Sequence, residues 1–171
     1  NRVVYMERSD LLFLSRDAVK IPDGVRETMM KLSEVTAFRR DMLVDRDGFA
    51  IWDGNAMRYA VSSHEHDGGH VVTLSYGGEY GYAFCSEEAD TVRITELIVK
   101  EHFASTLLYK ILKSYPNAKR FVFRLPVYDT FFDKFGEVVD YAMICCNDGK
   151  SPVSITTLDG IRTPYLGLAL D

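Results

Sequence analysis

The residues from Thr91 to Pro126 constrain the fold more than any other stretch of the chain. Alternating β-branched and apolar residues from Thr91 to Val99 predict a strand. Apolar residues at helical spacing predict a helix from Glu101 to Tyr115, and a second alternating run from Lys119 to Pro126 predicts another strand. A strand, a helix and a strand in so short a stretch form a βαβ unit, whose two strands lie parallel in one sheet.

The first strand of this unit carries a charged residue among apolar ones. Strict alternation would place four side chains on one face of the strand: Val92, Ile94, Glu96 and Ile98. A carboxylate on an apolar face needs a partner or water, because burying an unpaired charge is costly. Glu96 therefore implies a partner or water, and a cross-strand ion pair with an arginine such as Arg124 would supply one.

Shorter patterns of apolar residues predict the other helices and strands. The run from Leu11 to Leu14 is apolar but too short to assign to either. The predicted helices are Pro22 to Arg40, Arg46 to His64 and Tyr128 to Phe135. The predicted strands are Arg2 to Met6, His70 to Tyr76, Glu79 to Cys85, Val138 to Cys146 and Tyr165 to Leu170. Three antiparallel strands thus lead into the βαβ unit. We expect an α+β fold in one domain, residues 1–171, with a mixed, mostly antiparallel, twisted sheet flanked by helices.

Composition narrows the classes of function. Hydrophobic residues make up 47% of the chain, enough for a sizeable core. A net charge of -5 and a pI of about 5.4 make nucleic acid and anionic membranes poor partners. The sequence has no signal-peptide pattern and no apolar run long enough to span a bilayer. Its three cysteines, Cys85, Cys145 and Cys146, form no disulfide framework. We therefore expect buried thiols and a cytoplasmic protein.

Four local motifs, together with the order of the elements, resemble a known family. They are Arg46-Asp47 followed by Trp52, then Gly81-Tyr82-Ala83, Thr95-Glu96-Leu97, and the ending from Pro164 to Asp171. The chain resembles the GNAT acetyltransferases, and among them the C-terminal GNAT-like domain of bacterial tandem-GNAT proteins related to the enhanced-intracellular-survival acetyltransferases. The resemblance implies the acyl-CoA N-acyltransferase fold. It also implies a partner, an upstream GNAT domain of the same parent chain that binds acetyl-CoA.

The resemblance places a coenzyme A site where the fourth strand of the family runs into the following helix. A working GNAT domain has Arg or Gln there, two residues, Gly, any residue, then Gly or Ala, so that backbone N–H groups close on the diphosphate. The stretch from Val99 to Thr106 contains no glycine, and Glu101 adds a negative charge. Only if coenzyme A binds here would its contacts be Ile98, Val99, Lys100, His102, Ala104 and Ser105. We expect no tightly bound cofactor.

The family also implies a general acid and a base. The position of the usual tyrosine acid is occupied by Phe132, which has no proton to donate, and Tyr128 lies about one turn earlier as a weak substitute. Glu96 occupies a strand that carries a catalytic Glu in several relatives. The chain-terminal carboxylate of Asp171 is a further candidate, because survival-type relatives place such a group in a neighbouring active site.

Several histidine and acidic residues around the Asp67-Gly68-Gly69 turn have the spacing of metal ligands. It comprises His64, Glu65, His66, Asp67 and His70. The polar turn beside it favours a solvated loop, so no metal site is predicted.

Three functions remain open at this point. The first is a domain with a degenerate acetyl-CoA site that shapes the acceptor pocket and the contacts of a tandem acetyltransferase. The second is an active single-domain N-acetyltransferase that acts on a small amine with acetyl-CoA. The third is a non-enzymatic ligand-binding or dimerisation module. Apolar strands from His70 to Val99 also predict domain contacts or a homo-oligomer.

Overall fold

The computed structural model describes residues 2–18, 30–44, 51–125, 132 and 135–138. Its helices are α1 (Arg8–Leu14), α2 (Leu32–Leu43), α3 (Gly54–His66) and α4 (Glu101–Ser114). Its strands are β1 (Arg2–Glu7), β2 (Gly69–Tyr76), β3 (Glu79–Glu88), β4 (Thr91–Val99), β5 (Arg120–Leu125) and β6 (Glu137–Val138). The predicted strand from Tyr165 to Leu170 lies outside the described residues. So do most of the predicted helix from Tyr128 to Phe135 and most of the strand from Val138 to Cys146.

The predicted βαβ unit is confirmed. β4 has the predicted bounds, and α4 and β5 follow within one residue of theirs. β4 and β5 pair in parallel from Thr91 opposite Arg120 to Ile94 opposite Phe123. α4 connects them because its apolar residues share one side and are buried against the sheet.

One mixed sheet is built around this unit, in the order β2-β3-β4-β5-β1-β6. β2, β3 and β4 are antiparallel, as expected, and so are the pairs of β1 with β5 and with β6. Among the strands that the structure describes, only β4 and β5 run parallel. The prediction of a mixed, mostly antiparallel sheet flanked by helices is therefore confirmed. The sequence did not predict that β1 lies between β5 and β6, because this pairing joins residues far apart in the chain.

Two of the predicted helices have different bounds, and a third was not assigned. The short run around Leu11 belongs to α1, whose apolar side packs on α4. α2 begins at Leu32, not at Pro22, since Lys31 is extended and serves as its N-cap. α3 begins at Gly54, after the Asp53 side chain accepts hydrogen bonds from two N–H groups of its first turn. None of the described helices is both long and apolar enough to cross a bilayer.

The sheet has a core on each face. On the first face, α1 and α4 cover a cluster that includes Val4, Leu107, Ile111, Phe121 and Phe123. On the second face, α2 and α3 cover a cluster that includes Val35, Trp52, Met57, Tyr82 and Phe84. α2 and α3 contact mainly β4 and β2. The second core therefore lies at one side of the sheet.

A β-bulge in β4 changes which residues share a face. Cys85 of β3 pairs with Ile94, but its neighbour Phe84 pairs with Glu96, so Thr95 is an extra residue in β4. The alternation is shifted by one residue at this point. The predicted common face is therefore wrong, because Ile94 packs in the first core while Glu96 faces the second.

Arg8 fixes the end of α4. Its guanidinium donates to the carbonyl oxygens of Tyr115 at 2.9 Å, Ala118 at 3.1 Å and Leu112 at 3.3 Å. These carbonyls belong to the last turn of α4 and the turn after it, where a positive charge also complements the helix dipole. Arg8 follows β1 directly, so this contact ties the N-terminal strand to the helix of the βαβ unit.

We expect Arg8→Ala to lower the free energy of unfolding by about 1–3 kcal/mol, because three carbonyls lose a charged donor. Urea denaturation followed by circular dichroism measures this change. Arg40→Ala is the matched control, since Arg40 is 65% exposed and faces Asp41 at 3.6 Å. Its expected effect is within about 0.5 kcal/mol. Equal losses in the two variants would contradict this role of Arg8.

Candidate functional site

A buried ion pair is centred on Glu96. Glu96 is 1% exposed and Arg39 2%. Arg39 Nε lies 3.2 Å from Glu96 Oε1, and the Tyr82 hydroxyl donates to Glu96 Oε2 at 2.9 Å. The guanidinium carbon of Arg39 also lies 4.1 Å from the centre of the Trp52 ring, a cation–π contact. Glu96 is therefore a paired carboxylate.

Three elements bring this cluster together. The bulge at Thr95 turns Glu96 toward the second face, β3 supplies Tyr82 beside it, and α2 supplies Arg39. The sequence pattern of α2 indicates that Arg39 faces the core. Leu32, Val35, Arg39 and Leu43 recur at helical spacing, so Arg39 lies on the apolar stripe of its own helix. An arginine on such a stripe needs an acidic partner.

The suggested cross-strand partner, Arg124, is not the one that the structure places at Glu96. Arg124 alternates with Phe123 and Leu125, which are buried in the first core, and is exposed at its own position. The ion pair forms instead between a strand and a helix 57 residues apart in sequence. Such a contact depends on how α2 packs, which strand alternation does not reveal.

The start of α4 carries both signs of charge. Lys100 Nζ lies 3.2 Å from Glu79 Oε2, and His102 Nε2 lies 3.3 Å from Glu79 Oε1. The contact with the Lys100 ammonium is the main reason that the pKa of the Glu79 carboxyl is lowered, and His102 contributes in the same direction. Glu101 is exposed in the first turn of α4. Sequence reasoning identified Lys100 and His102 but missed Glu79, which reaches them from the β2–β3 hairpin.

The other predicted binding residues are divided between the two faces. Ile98 is buried in the second core, whereas Val99 packs against the first. Val99 also lies close to Gly81, since a Cβ atom added at Gly81 would be 2.9 Å from the Val99 side chain. Ala104 is buried. The Ser105 hydroxyl donates to the Leu14 carbonyl of α1 at 2.9 Å. The structure thus groups Lys100 and His102 around Glu79, and it engages Ser105 in helix packing.

Phe132 occupies the position of the expected acid. Its ring is fully buried in the first core, with its centre 5.1 Å from that of Phe123. Phe123 is the last residue of β5 in register with β4. Beyond it, β4 continues to Val99 and β5 to Leu125 outside that register. Phe132 therefore packs where the parallel pairing ends. The two remaining candidates, Tyr128 and Asp171, lie outside the described residues.

The histidine-rich segment is not a loop. His64, Glu65 and His66 form the last turn of α3, which corrects the prediction of a solvated loop there. His64 Nε2 lies 2.9 Å from the Cys85 carbonyl oxygen, and its ring packs on Phe84. The Cys85 thiol is buried as predicted, and burial raises its pKa. Among the described residues, no three His, Cys, Asp or Glu side chains lie together as a metal site would require.

The residues at the start of α4 do not fit a diphosphate. Two carboxylates, Glu79 and Glu101, lie at the end of the helix where an anion would bind, and Lys100 and His102 already contact one of them. No glycine lies between Val99 and Thr106 to let backbone N–H groups approach a ligand closely.

Comparison with known proteins identifies the fold. A scan against protein-family models found no match, and a search of curated proteins found none. The structure is similar to a solved protein described as a GCN5-related N-acetyltransferase from Kribbella flavida, with a TM-score of 0.52 and 11% sequence identity. The match covers 82% of this chain and 34% of that one, so this chain spans about a third of its neighbour's length. The chain therefore has a GNAT fold.

We expect Glu96→Gln to lower the free energy of unfolding by about 3–5 kcal/mol, because it removes the carboxylate that the buried Arg39 guanidinium contacts. Urea denaturation of both proteins gives the difference. The matched control is Asp17→Asn, which removes the acid of an exposed pair whose side chains are 61% and 80% accessible. It should change stability by less than about 0.5 kcal/mol. A loss below about 1 kcal/mol in Glu96→Gln would contradict the buried pair.

We also expect NMR titration to find the pKa of Glu79 below the ordinary glutamate range. The value should return toward that range in Lys100→Ala, and less so in His102→Ala, because the Lys100 contact is the larger cause. A carboxyl with a lowered folded-state pKa stabilises the fold above its unfolded pKa, and this stabilisation is lost as pH falls through the folded-state value. An unchanged Glu79 pKa in Lys100→Ala would show that the ion pair does not form in solution.

Proposed function

We propose that this chain is an N-acetyltransferase-like domain with a degenerate acetyl-CoA site. In this proposal it contributes the acceptor pocket and domain contacts to a tandem acetyltransferase whose acetyl-CoA site lies in an upstream GNAT domain. The GNAT fold supports the acetyltransferase family. The proposed loss of acetyl-CoA binding depends on the start of α4, because that is where a GNAT domain would hold the coenzyme diphosphate.

The supporting observation is electrostatic. A helix N-terminus attracts anions through its free N–H groups and its dipole. Here Glu101 is in the first turn of α4, and the Glu79 carboxylate lies within 3.3 Å of both Lys100 Nζ and His102 Nε2. A diphosphate would have to approach two carboxylates and compete with Glu79 for Lys100 and His102. Since no backbone cradle of glycines compensates, we infer that coenzyme A does not bind there in the usual mode.

The positions expected to carry catalysis support the same proposal. Acetyl transfer from a thioester needs a base for the amine and an acid for the departing thiolate. Phe132 is buried and has no acidic proton. Glu96 is paired with Arg39 and accepts from Tyr82, so its oxygens stabilise the contact between β4 and α2. We infer that Glu96 is structural in this domain.

The same ion pair suits a domain that shapes a pocket. It holds α2 against β4 through a buried charge, and the Trp52 ring packs on the guanidinium. A helix attached in this way is held rigidly on the sheet, because separating it from the strand would break a buried contact between opposite charges. Rigid walls favour recognition of an acceptor, since little ordering is needed when the acceptor binds.

Isothermal titration of the whole chain with acetyl-CoA tests the proposal. We expect no saturable binding below about 1 mM, because the diphosphate meets carboxylates and no cradle. Glu79→Gln/Glu101→Gln is the matched variant, since it removes both negative charges and keeps the side-chain volumes. It should bind more tightly than the wild type if charge is an obstacle. Micromolar binding by the wild-type chain would overturn the degenerate-site proposal and favour an active single-domain enzyme.

A further inference from the structure

The turn between β3 and β4 has an unusual backbone conformation. β3 ends at Glu88 and β4 begins at Thr91, so only Ala89 and Asp90 connect the two strands. Ala89 has a φ of 56°, in the left-handed region that the side chain of an L-residue disfavours. Among the residues that the structure describes, the other positive φ angles belong to glycines, which have no side chain to clash.

The length of the turn imposes this conformation. A two-residue hairpin turn needs a positive φ at one or both of its central residues to match the twist of the strands. Ala89 is exposed, so packing around its methyl group does not hold the backbone in place. A change of Ala89 to a negative φ would open the last pair of the hairpin, Glu88 with Thr91. A strained residue of this kind persists only where neighbouring contacts fix it.

Asp90 makes contacts that fix the turn. Its carbonyl oxygen accepts from the N–H groups of Lys119 at 2.8 Å and Arg120 at 3.1 Å. Its carboxylate accepts from the Arg120 guanidinium at 2.7 Å and from the Thr91 hydroxyl at 3.2 Å. The hydrogen bond from Arg120 is the main reason that the pKa of the Asp90 carboxyl is lowered. Asp90 therefore ties the turn to the start of β5.

The segment that Asp90 contacts is itself held from another side. It is the connection between α4 and β5. The Arg8 N–H group donates to the Lys119 carbonyl oxygen at 2.7 Å, and the Arg8 guanidinium donates to the carbonyls of Tyr115 and Ala118. Arg8 thus binds carbonyl groups of this connection, while Asp90 binds N–H groups at its end. Because the connection is fixed, it can hold the turn in a strained conformation.

We propose that Ala89 and Asp90 form a conformational latch, in which the contacts of Asp90 with the start of β5 keep Ala89 strained. The latch closes the first pair of the parallel register, Thr91 opposite Arg120. When the side-chain contacts of Asp90 are lost, Ala89 relaxes to a negative φ and the turn separates from β5. Ala89, Thr91 and Arg120 also line a cleft of about 570 Å³, so the latch fixes one side of this cleft.

Amide hydrogen exchange of the whole chain, followed by NMR, tests the proposal through the N–H groups of Lys119 and Arg120. Both donate to the main-chain oxygen of Asp90, which remains when only the side chain is changed. Asp90→Ala should raise their exchange rates at least about tenfold, because the turn moves away from β5. Asp90→Asn keeps an acceptor oxygen without its charge, and it should raise the rates by a smaller factor. The three-bond coupling between the amide and α hydrogens of Ala89 depends on φ, and it should change in Asp90→Ala.

The double variant Ala89→Gly/Asp90→Ala separates stored strain from the simple loss of an ion pair. Glycine adopts a positive φ without a steric clash, so the turn can stay in place without the carboxylate. The exchange rates of Lys119 and Arg120 should return to within about threefold of the wild type. A double variant that exchanges as fast as Asp90→Ala overturns the proposal, because the turn then stores no strain.

Asp41→Ala is the matched control, since it removes the acid of an exposed ion pair with Arg40 on α2. It should change the same exchange rates by less than about twofold. Unchanged rates in Asp90→Ala overturn the proposal, and so does an equal rise in Asp41→Ala. An equal rise at the buried Phe84 of β3 also overturns it, because Asp90→Ala would then lower global stability without opening the turn. None of these results depends on whether acetyl-CoA binds, so the degenerate-site proposal is tested separately.

Discussion

The buried contact between Arg39 and Glu96 is the interaction on which the second half of the fold depends. Placing two charges in an apolar core is costly unless each satisfies the other and further polar contacts complete the set. Tyr82 and Trp52 supply those contacts, through a hydrogen bond and a cation–π interaction. The result fixes α2 against β4 in one geometry. The pair thus joins α2 to β4 at a defined point of the second core.

The bulge at Thr95 makes this contact available. With uninterrupted alternation, Glu96 would share a face with Val92 and Ile94 and would lie in the apolar core under α4. The extra residue turns Glu96 to the other face, where Arg39 is located. The register between β4 and β5 ends at Ile94, the residue before the bulge. One inserted residue thus coincides with two features, the reversed face of β4 and the end of its parallel pairing.

In this molecule the fold and the side chains at the expected catalytic positions give different information about function. The GNAT fold, with its βαβ unit and mixed sheet, is kept despite 11% identity to the solved neighbour. A fold persists because many patterns of apolar residues fill the same core, whereas a reaction depends on a few groups at defined places. Here Phe132 is a core residue and Glu96 is an ion-pair partner. The side chains at these positions, more than the backbone that carries them, decide between an enzyme and a supporting domain.

The local elements and the fold class follow from patterns within the amino-acid sequence. Alternation predicts β4 and β5, helical spacing predicts α4, and the lack of glycine between Val99 and Thr106 is visible in the sequence itself. These features depend on neighbours in the chain, whose spacing is visible in the sequence. Three other features appear only in the folded structure: Arg39 pairs with Glu96, Glu79 reaches the start of α4, and β1 lies beside β5. Each of these contacts joins distant residues, and chain closure and packing, which local patterns do not encode, select it from many alternatives.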